Sequence, residues 1–521
     1  MDKSSTGTSW RSLAEVLAGH RNRHPSKIAI VDVERAQHIS FAELADVVDG
    51  VALQLKKFGV SERVRVALLI DDGIETILMW LALWRLGAIV CPFDTSQLGA
   101  VATQVAFNAL NPALVLYGAS IMACDLPAGV RASARYGRWG SCSQPSQQAE
   151  TIHLSALPSN TTLAVPNTKP DDIAAACCTS GSAGAAKIVL HDHASYWLNG
   201  LDSAYLLELS ENDRILEYRS LSWYSPQILS LMPFLQSGAT LHLARQFSRS
   251  RFPAWIADHK ITISAGVPTV LNMLLNGPIE ELRACASSLR LMTCSSAPLS
   301  RSTWLRFEQE TAIAVLNMYG STEAGWICGN RLRNRKIGTV GLPVPHTAFD
   351  VVDFEGQSCP AGMAGQVVLE GPKLAAGILE IDGSIRAVRG RRLYSRDLAQ
   401  RDEDGFVQLL GRMDDLVIRG GIKVAPSEIE DALLAHGDVV EAAAVGVPDP
   451  IYGQDIVCYV VLREDASTRP DMLRAYLATR LPKEKRPANI WSIEALPRSS
   501  RGKLRRDALL ARWHRAVLRR Q

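Results

Sequence analysis

Through the first 320 residues, short apolar runs rich in β-branched side chains alternate with stretches of helical periodicity, and this alternation restricts the chain to few folds. Residues 64–70 predict a strand, 74–86 a helix and 88–92 a second strand. Further strands are predicted at 113–117, 173–178, 239–244, 261–265, 289–294 and 313–317, with helices after His193 and at 252–259 and 268–275. Strands this apolar need helices on both faces, so the pattern predicts an α/β fold of parallel-type sheets covered by helices. At 521 residues and 47% hydrophobic content the chain can bury a large core and divide into two or more domains.

The texture changes after Gly338. Up to residue 411, short strands separated by Gly, Pro and Asp turns predict a small β-rich subdomain. From residue 412 a compact α+β pattern begins, with a helix starting at a capping Ser427, strands at 439–445 and 455–462, a helix at 471–481 and a basic terminal helix. The expected organisation is therefore an N-terminal domain, 1–411, with its β-rich part at 338–411, followed by a small mobile domain, 412–521. The most apolar stretch, 76–94, is interrupted by Arg85 and reads as a buried helix followed by a strand, with no membrane insertion. Ten cysteines without a CxxC pair argue against a disulfide framework or a zinc site and for a reducing, cytoplasmic setting. The N-terminus lacks an apolar signal core. A net charge of +3 announces no nucleic-acid partner, and the nine Lys/Arg from Arg498 onward read as a solvated helix face. His191 and His193 have no accompanying ligand cluster and read as loop or helix-start residues.

Two segments carry chemistry. Residues 179–187, TSGSAGAAK, follow an apolar strand. Their hydroxyls, two glycines and closing lysine suit a polyphosphate, although Gly184 and Lys187 are not adjacent as in a Walker loop. In isolation a flexible Ser/Gly turn has the same look. Residues 317–325, NMYGSTEAG, place an aromatic ring, a hydroxyl and a carboxylate at a strand exit, where α/β proteins hold ligands and a carboxylate can hold magnesium.

Together these segments resemble the adenylate-forming superfamily of acyl- and aryl-CoA synthetases, luciferases and adenylation domains. The resemblance continues in order through SSAPL at 295–299, YSRDL at 394–398, GRMDD at 411–415, RGGIKVAPSEIE at 419–430 and LPRSSRGKLRR at 496–506, with a weaker match in SFAELADVV from Ser40. The resemblance implies roles. Thr179, Ser180, Gly181, Ser182, Gly184 and Lys187 would cradle the β- and γ-phosphates of ATP. Ser296, Ala297, Pro298, Tyr319 and Gly320 would frame the adenine. Thr322 would touch the α-phosphate, Glu323 would hold Mg²⁺, and Asp397 and Arg412 the ribose. Asp414 would be the hinge, Gly420 and Gly421 would line a coenzyme A tunnel, and Lys503 would bridge the two reacting anions. Trp223, Tyr224, Ser225, Met318 and Trp326 are acyl-pocket candidates; core packing is an equal account of Trp223 and the better account of Trp326. Ala183, Ala186, Ile188, Ser395 and Arg396 depart from the family's usual residues.

The implied reaction joins two anions, a carboxylate and the α-phosphate, so positioning and charge neutralisation carry it. A single hinged module then exchanges a lysine for a thiol tunnel. The expected protein is a ligase that activates a small carboxylic acid, aromatic or of medium chain length, and transfers it to coenzyme A. A stand-alone adenylation enzyme loading a carrier protein is the alternative.

Overall fold

A computed structural model describes residues 9–70, 73–118, 120–139, 151–156, 163, 166–179, 187–285, 287–499 and 504–518. Among these residues the chain forms two nine-stranded sheets, a four-stranded sheet and a five-stranded sheet. The first large sheet runs Leu342–Pro343, Gly325–Gly329, Ala314–Ser321, Leu291–Cys294, Ile263–Ser264, Arg214–Glu217, Thr240–Leu243, Ile28–Asp32, Gln37–Ser40. Its middle, from Ala314–Ser321 to Ile28–Asp32, is parallel throughout. The second is built around Ile173–Thr179, Ile89–Asp94, Arg65–Ile70 and Leu114–Tyr117, again parallel.

The helix Ile74–Arg85 is buried on all sides. Its apolar residues join one core with Ile30 and Leu241 of the first sheet and Val66, Val90 and Ala175 of the second, so it is packed between the two sheets. A helix apolar all round belongs in such a place. Arg85 survives there because its Nε lies 2.7 Å from Asp49 Oδ1. Among the described residues no helix is long and apolar enough to cross a membrane. The neighbouring helix Phe41–Lys57 starts on a capping box in which Ser40 and Glu43 satisfy each other's backbone donors.

Both large sheets are mixed where the alternation pointed to parallel ones. The unforeseen strand Lys187–Asp192 folds back antiparallel on Ile173–Thr179, with Lys187 opposite Thr179. The β-rich part forms an antiparallel four-stranded sheet, Ala348–Val352, Gly365–Glu370, Leu393–Arg401 and Val407–Arg412. Beyond it lies the five-stranded sheet, centred on the antiparallel pair Val439–Asp449 and Gly453–Leu462 and covered by the helices Pro426–Leu434 and Arg506–Leu518. Ser427 does not cap its helix. Pro426 takes the first turn behind Ala425, and Ser427 Oγ donates instead to Leu410 O at 2.6 Å, tying the helix to the preceding sheet.

Candidate active site

The strands Leu291–Cys294 and Ala314–Ser321 are paired in parallel with Cys294 opposite Asn317. Their carboxyl ends therefore release Ser296, Ala297 and Pro298 beside Tyr319 and Gly320, the edge at which open α/β sheets hold ligands. Ser296 turns the chain in the left-handed region at φ 71°. Ser296 and Pro298 are exposed and Ala297 half-buried. Gly320 is required: a Cβ there would stand 2.5 Å from Gly325 O.

Tyr319 is buried and its hydroxyl donates to Asp397 Oδ2 at 2.5 Å. Burial, reinforced by the Asp397 carboxylate, pushes the phenol pKa well up, so it acts as a neutral donor. The antiparallel register of Leu393–Arg401 with Val407–Arg412 sets Arg412 opposite Asp397, with Arg412 Nε 3.8 Å from Asp397 Oδ1. Arg412 also approaches Asp414 at 3.8 Å, and Arg396 Nη2 pairs with Asp414 Oδ1 at 3.1 Å. Arg396, a departure from the family's usual residue, thus pairs with the aspartate read as the hinge.

Thr322 and Glu323 are half-buried in the turn joining Ala314–Ser321 to Gly325–Gly329. Lys187 Nζ stands 3.7 Å from Glu323 Oε1, bringing the two chemical segments together. Gly325 has φ 67°, and any Cβ would lie 1.9 Å from Asn199 Oδ1. Behind the turn, Asn199 Oδ1 accepts from Trp326 N–H at 3.1 Å, and Ala375 N–H donates to Glu323 O at 2.9 Å. The fully buried Lys373 donates to Trp326 O and to Asp202 Oδ2, the latter at 2.5 Å. Sequence reading missed Asn199, Asp202 and Lys373. One signal was present: Ser195, Asn199, Asp202 and Ser203 fall on one side of the helix His193–Leu207, a polar stripe on a face that is buried.

Of the acyl-pocket candidates, Tyr224, Met318 and Trp326 are buried within the main core, and Trp223 and Ser225 are half-buried at the start of the helical segment from Tyr224. Tyr224 accepts from Asn199 Nδ2 at 3.3 Å and stacks on His191, ring centroids 3.9 Å apart. Burial pushes the His191 pKa down to about 3 and that of His193 to about 4, so both rings are neutral at pH 7. His193 is the first residue of its helix and packs edge-on to Trp84. Among the described residues no group of three or more His, Cys, Asp or Glu could hold a metal.

The structure does not assemble every expected residue. Ser180, Gly181, Ser182 and Gly184, with Ala183 and Ala186, lie outside the described residues, as does Lys503. Thr179 ends its strand facing Lys187. Gly420 and Gly421 form the turn between Val417–Arg419 and Ile422–Val424. Gly420 N–H donates to Tyr452 O, within the same small module.

Two α/β sheets around a central helix, a small following module, and a linked aromatic–carboxylate–guanidinium group match the arrangement that the resemblance to the adenylate-forming superfamily implies. The family model described as AMP-binding enzyme matches residues 17–379, and its C-terminal domain model matches 428–503. The chain belongs to the AMP-binding enzyme family. It is 30% identical over 508 residues to the sulfoacetate–CoA ligase of Cupriavidus necator, covering 96% of this chain and 97% of that protein. It is 28% identical to the indoleacetate–CoA ligase of Aromatoleum aromaticum, covering 95% and 97%. The crystal structure of ATP-bound MatB from Rhodopseudomonas palustris superimposes with a TM-score of 0.82 at 25% identity, covering 96% of this chain and 99% of that one.

Proposed function

We propose that this protein activates a carboxylic acid with ATP, releasing pyrophosphate, and passes the acyl group from the acyl-AMP to the thiol of coenzyme A. The observation that carries this is the group Tyr319–Asp397–Arg412 set beside the Lys187–Glu323 pair, in a chain that CoA ligases match end to end. In this reading Tyr319 and residues 296–298 frame the adenine, and Asp397 and Arg412 hold the ribose. Thr322 touches the α-phosphate, Glu323 offers the hard carboxylate oxygen that Mg²⁺ prefers, and Lys187 Nζ stands 3.7 Å from that carboxylate. A bound magnesium ion would neutralise phosphate charge while the acid approaches. The chain's own contribution is to hold two anions in line and exclude water. Lys503 supplies a further cation there. The working modules are 1–411 and 412–521, with Asp414 as pivot.

The acyl-pocket candidates Trp223, Tyr224, Ser225, Met318 and Trp326 are uncharged, and three of them are aromatic. Buried charges nearby are engaged: Arg219 with Glu217 at 2.7 Å and Lys373 with Asp202. This suits an aryl or medium-chain acid, closer to indoleacetate than to sulfoacetate. We place the protein in the cytoplasm, on the cysteine spacing of the sequence. A panel of acids assayed for acid-dependent pyrophosphate release, with free CoA and with a holo carrier protein as acceptors, tests the proposal. Acyl-CoA should form. Transfer to the carrier alone would refute the CoA assignment. Lys503→Ala should abolish acyl-AMP formation while ATP still binds, and unaltered adenylation would remove the role given to that lysine.

A further inference from the structure

Lys373 is a fully buried lysine in the segment linking Gly365–Glu370 to Gly377–Leu379, and none of the family-like motifs contains it. Its ammonium donates to Asp202 Oδ2 at 2.5 Å and to the carbonyl of Trp326, three residues beyond Glu323. Asp202 in turn accepts at Oδ1 from His346, 2.7 Å away. Burial lowers the ammonium's pKa and the Asp202 carboxylate opposes that shift.

The backbone closes the ring. Lys373 O accepts from Asn199 Nδ2 at 3.4 Å, while Asn199 Oδ1 accepts from Trp326 N–H at 3.1 Å. Two residues after Lys373, Ala375 N–H donates to Glu323 O at 2.9 Å. Ser195 Oγ and Arg389 both donate to Leu374 O. The backbone groups Glu323 O, Trp326 N–H and Trp326 O behind the turn are thus each paired, and the turn is gripped from its carboxyl side by one charge. A methionine would fill the same volume without a buried ion pair. What it could not do is hold the Trp326 carbonyl. A buried ammonium here therefore serves geometry at the turn more directly than it serves core packing.

We propose that Lys373, seated by Asp202, is a positioning residue that holds the Thr322–Glu323 turn in the register needed to bind the metal–nucleotide complex. The proposal rests on the reading of Glu323 as the metal carboxylate. Residues that orient a metal ligand change metal affinity about 10- to 100-fold when removed.

The test measures ATP binding calorimetrically with and without Mg²⁺, together with thermal unfolding, for the full chain. The proteins are the wild type, Lys373→Met, the double variant Lys373→Met/Asp202→Asn, and Glu323→Gln. Wild type should gain ATP affinity from Mg²⁺. Lys373→Met should lose at least about tenfold of that gain while its Mg²⁺-free ATP affinity stays near wild type. The double variant removes the stranded carboxylate, so it guards against mere unfolding, and it too should lack the gain. A wild-type gain in either folded variant overturns the proposal. So does failure of both to fold, which would make Lys373 a structural residue only. Glu323→Gln separates the two readings: if it keeps the gain, the metal role of Glu323 falls whatever the lysine variants do.

Discussion

Asp397 carries a negative charge between a phenol donor at 2.5 Å and the guanidinium of Arg412. In the function proposed above, its carboxylate also accepts the ribose hydroxyls. A charge-assisted hydrogen bond is worth about 1.5–3 kcal/mol, so Asp397→Asn should weaken ATP binding about 10- to 100-fold, read by calorimetry, with a smaller change in acid affinity. Arg396 predicts the opposite scale of effect. Its pair with Asp414 is solvent-exposed, 64% and 38%, and such pairs contribute about 0–1 kcal/mol. Arg396→Gly should leave the melting temperature nearly unchanged. Any change in the rate of thioester formation should be reproduced by raising the salt concentration of the wild type. Tyr319, Glu323 and Asp397 could be singled out in the sequence because each falls in a short family-like segment, although the structure puts Tyr319 and Asp397 on strands and only Glu323 in a turn. Lys373 and Asp202 were not, since 171 residues separate them and burial alone brings the charges together.

The turn between Ala314–Ser321 and Gly325–Gly329 shows what an element adds to its residues. Its backbone reverses within four residues, its strands pair antiparallel, and Gly325 passes so close to Asn199 that no side chain fits. Gly325→Ala combines a left-handed φ of 67° with a 1.9 Å clash. Strain and overpacking each cost about 1–3 kcal/mol, so this variant should unfold several degrees below wild type and lose ATP-dependent pyrophosphate release more steeply than it loses stability. Element boundaries followed from hydrophobic runs wherever those runs were complete: Phe252–His259 and Pro268–Leu275 form as the periodicity indicates. The strand Lys187–Asp192 was hidden because it opens on a lysine and ends on two polar residues, so its period resembled the lead-in to the next helix. The helix at Pro426 was misjudged by one turn chemistry, a serine that looked like a cap and serves as a tether.

At the scale of the molecule, the modules meet across a cavity of about 640 Å³ between the helix Arg301–Thr311, the β-rich sheet and the helix Pro426–Leu434. Ser302 Oγ crosses it to Leu434 O at 3.0 Å. The texture change near residue 412 suggested a second module, but a cavity depends on how finished surfaces fit and leaves no local mark in a sequence. Asp431 stands on its wall, opposite Arg301, Lys336, Arg401 and Asp402. Asp431 is exposed at the residue level, yet burial of its carboxyl by the surrounding walls, with Glu430 beside it, pushes its pKa up to about 6 from 3.8. The folded state therefore holds this proton more tightly than the unfolded chain. The contribution of this carboxyl to stability is greatest below pH 4, is lost as the pH rises from there through 6, and is level above. Because water screens the group, the loss is on the order of 1 kcal/mol, well under what the full shift implies. Asp431→Asn should accordingly raise the melting temperature at pH 8, leave it unchanged at pH 4, and change over between those values. A variant equally stabilised at both pH values would show that the carboxyl is solvated and that the gap between the modules exerts no such pressure.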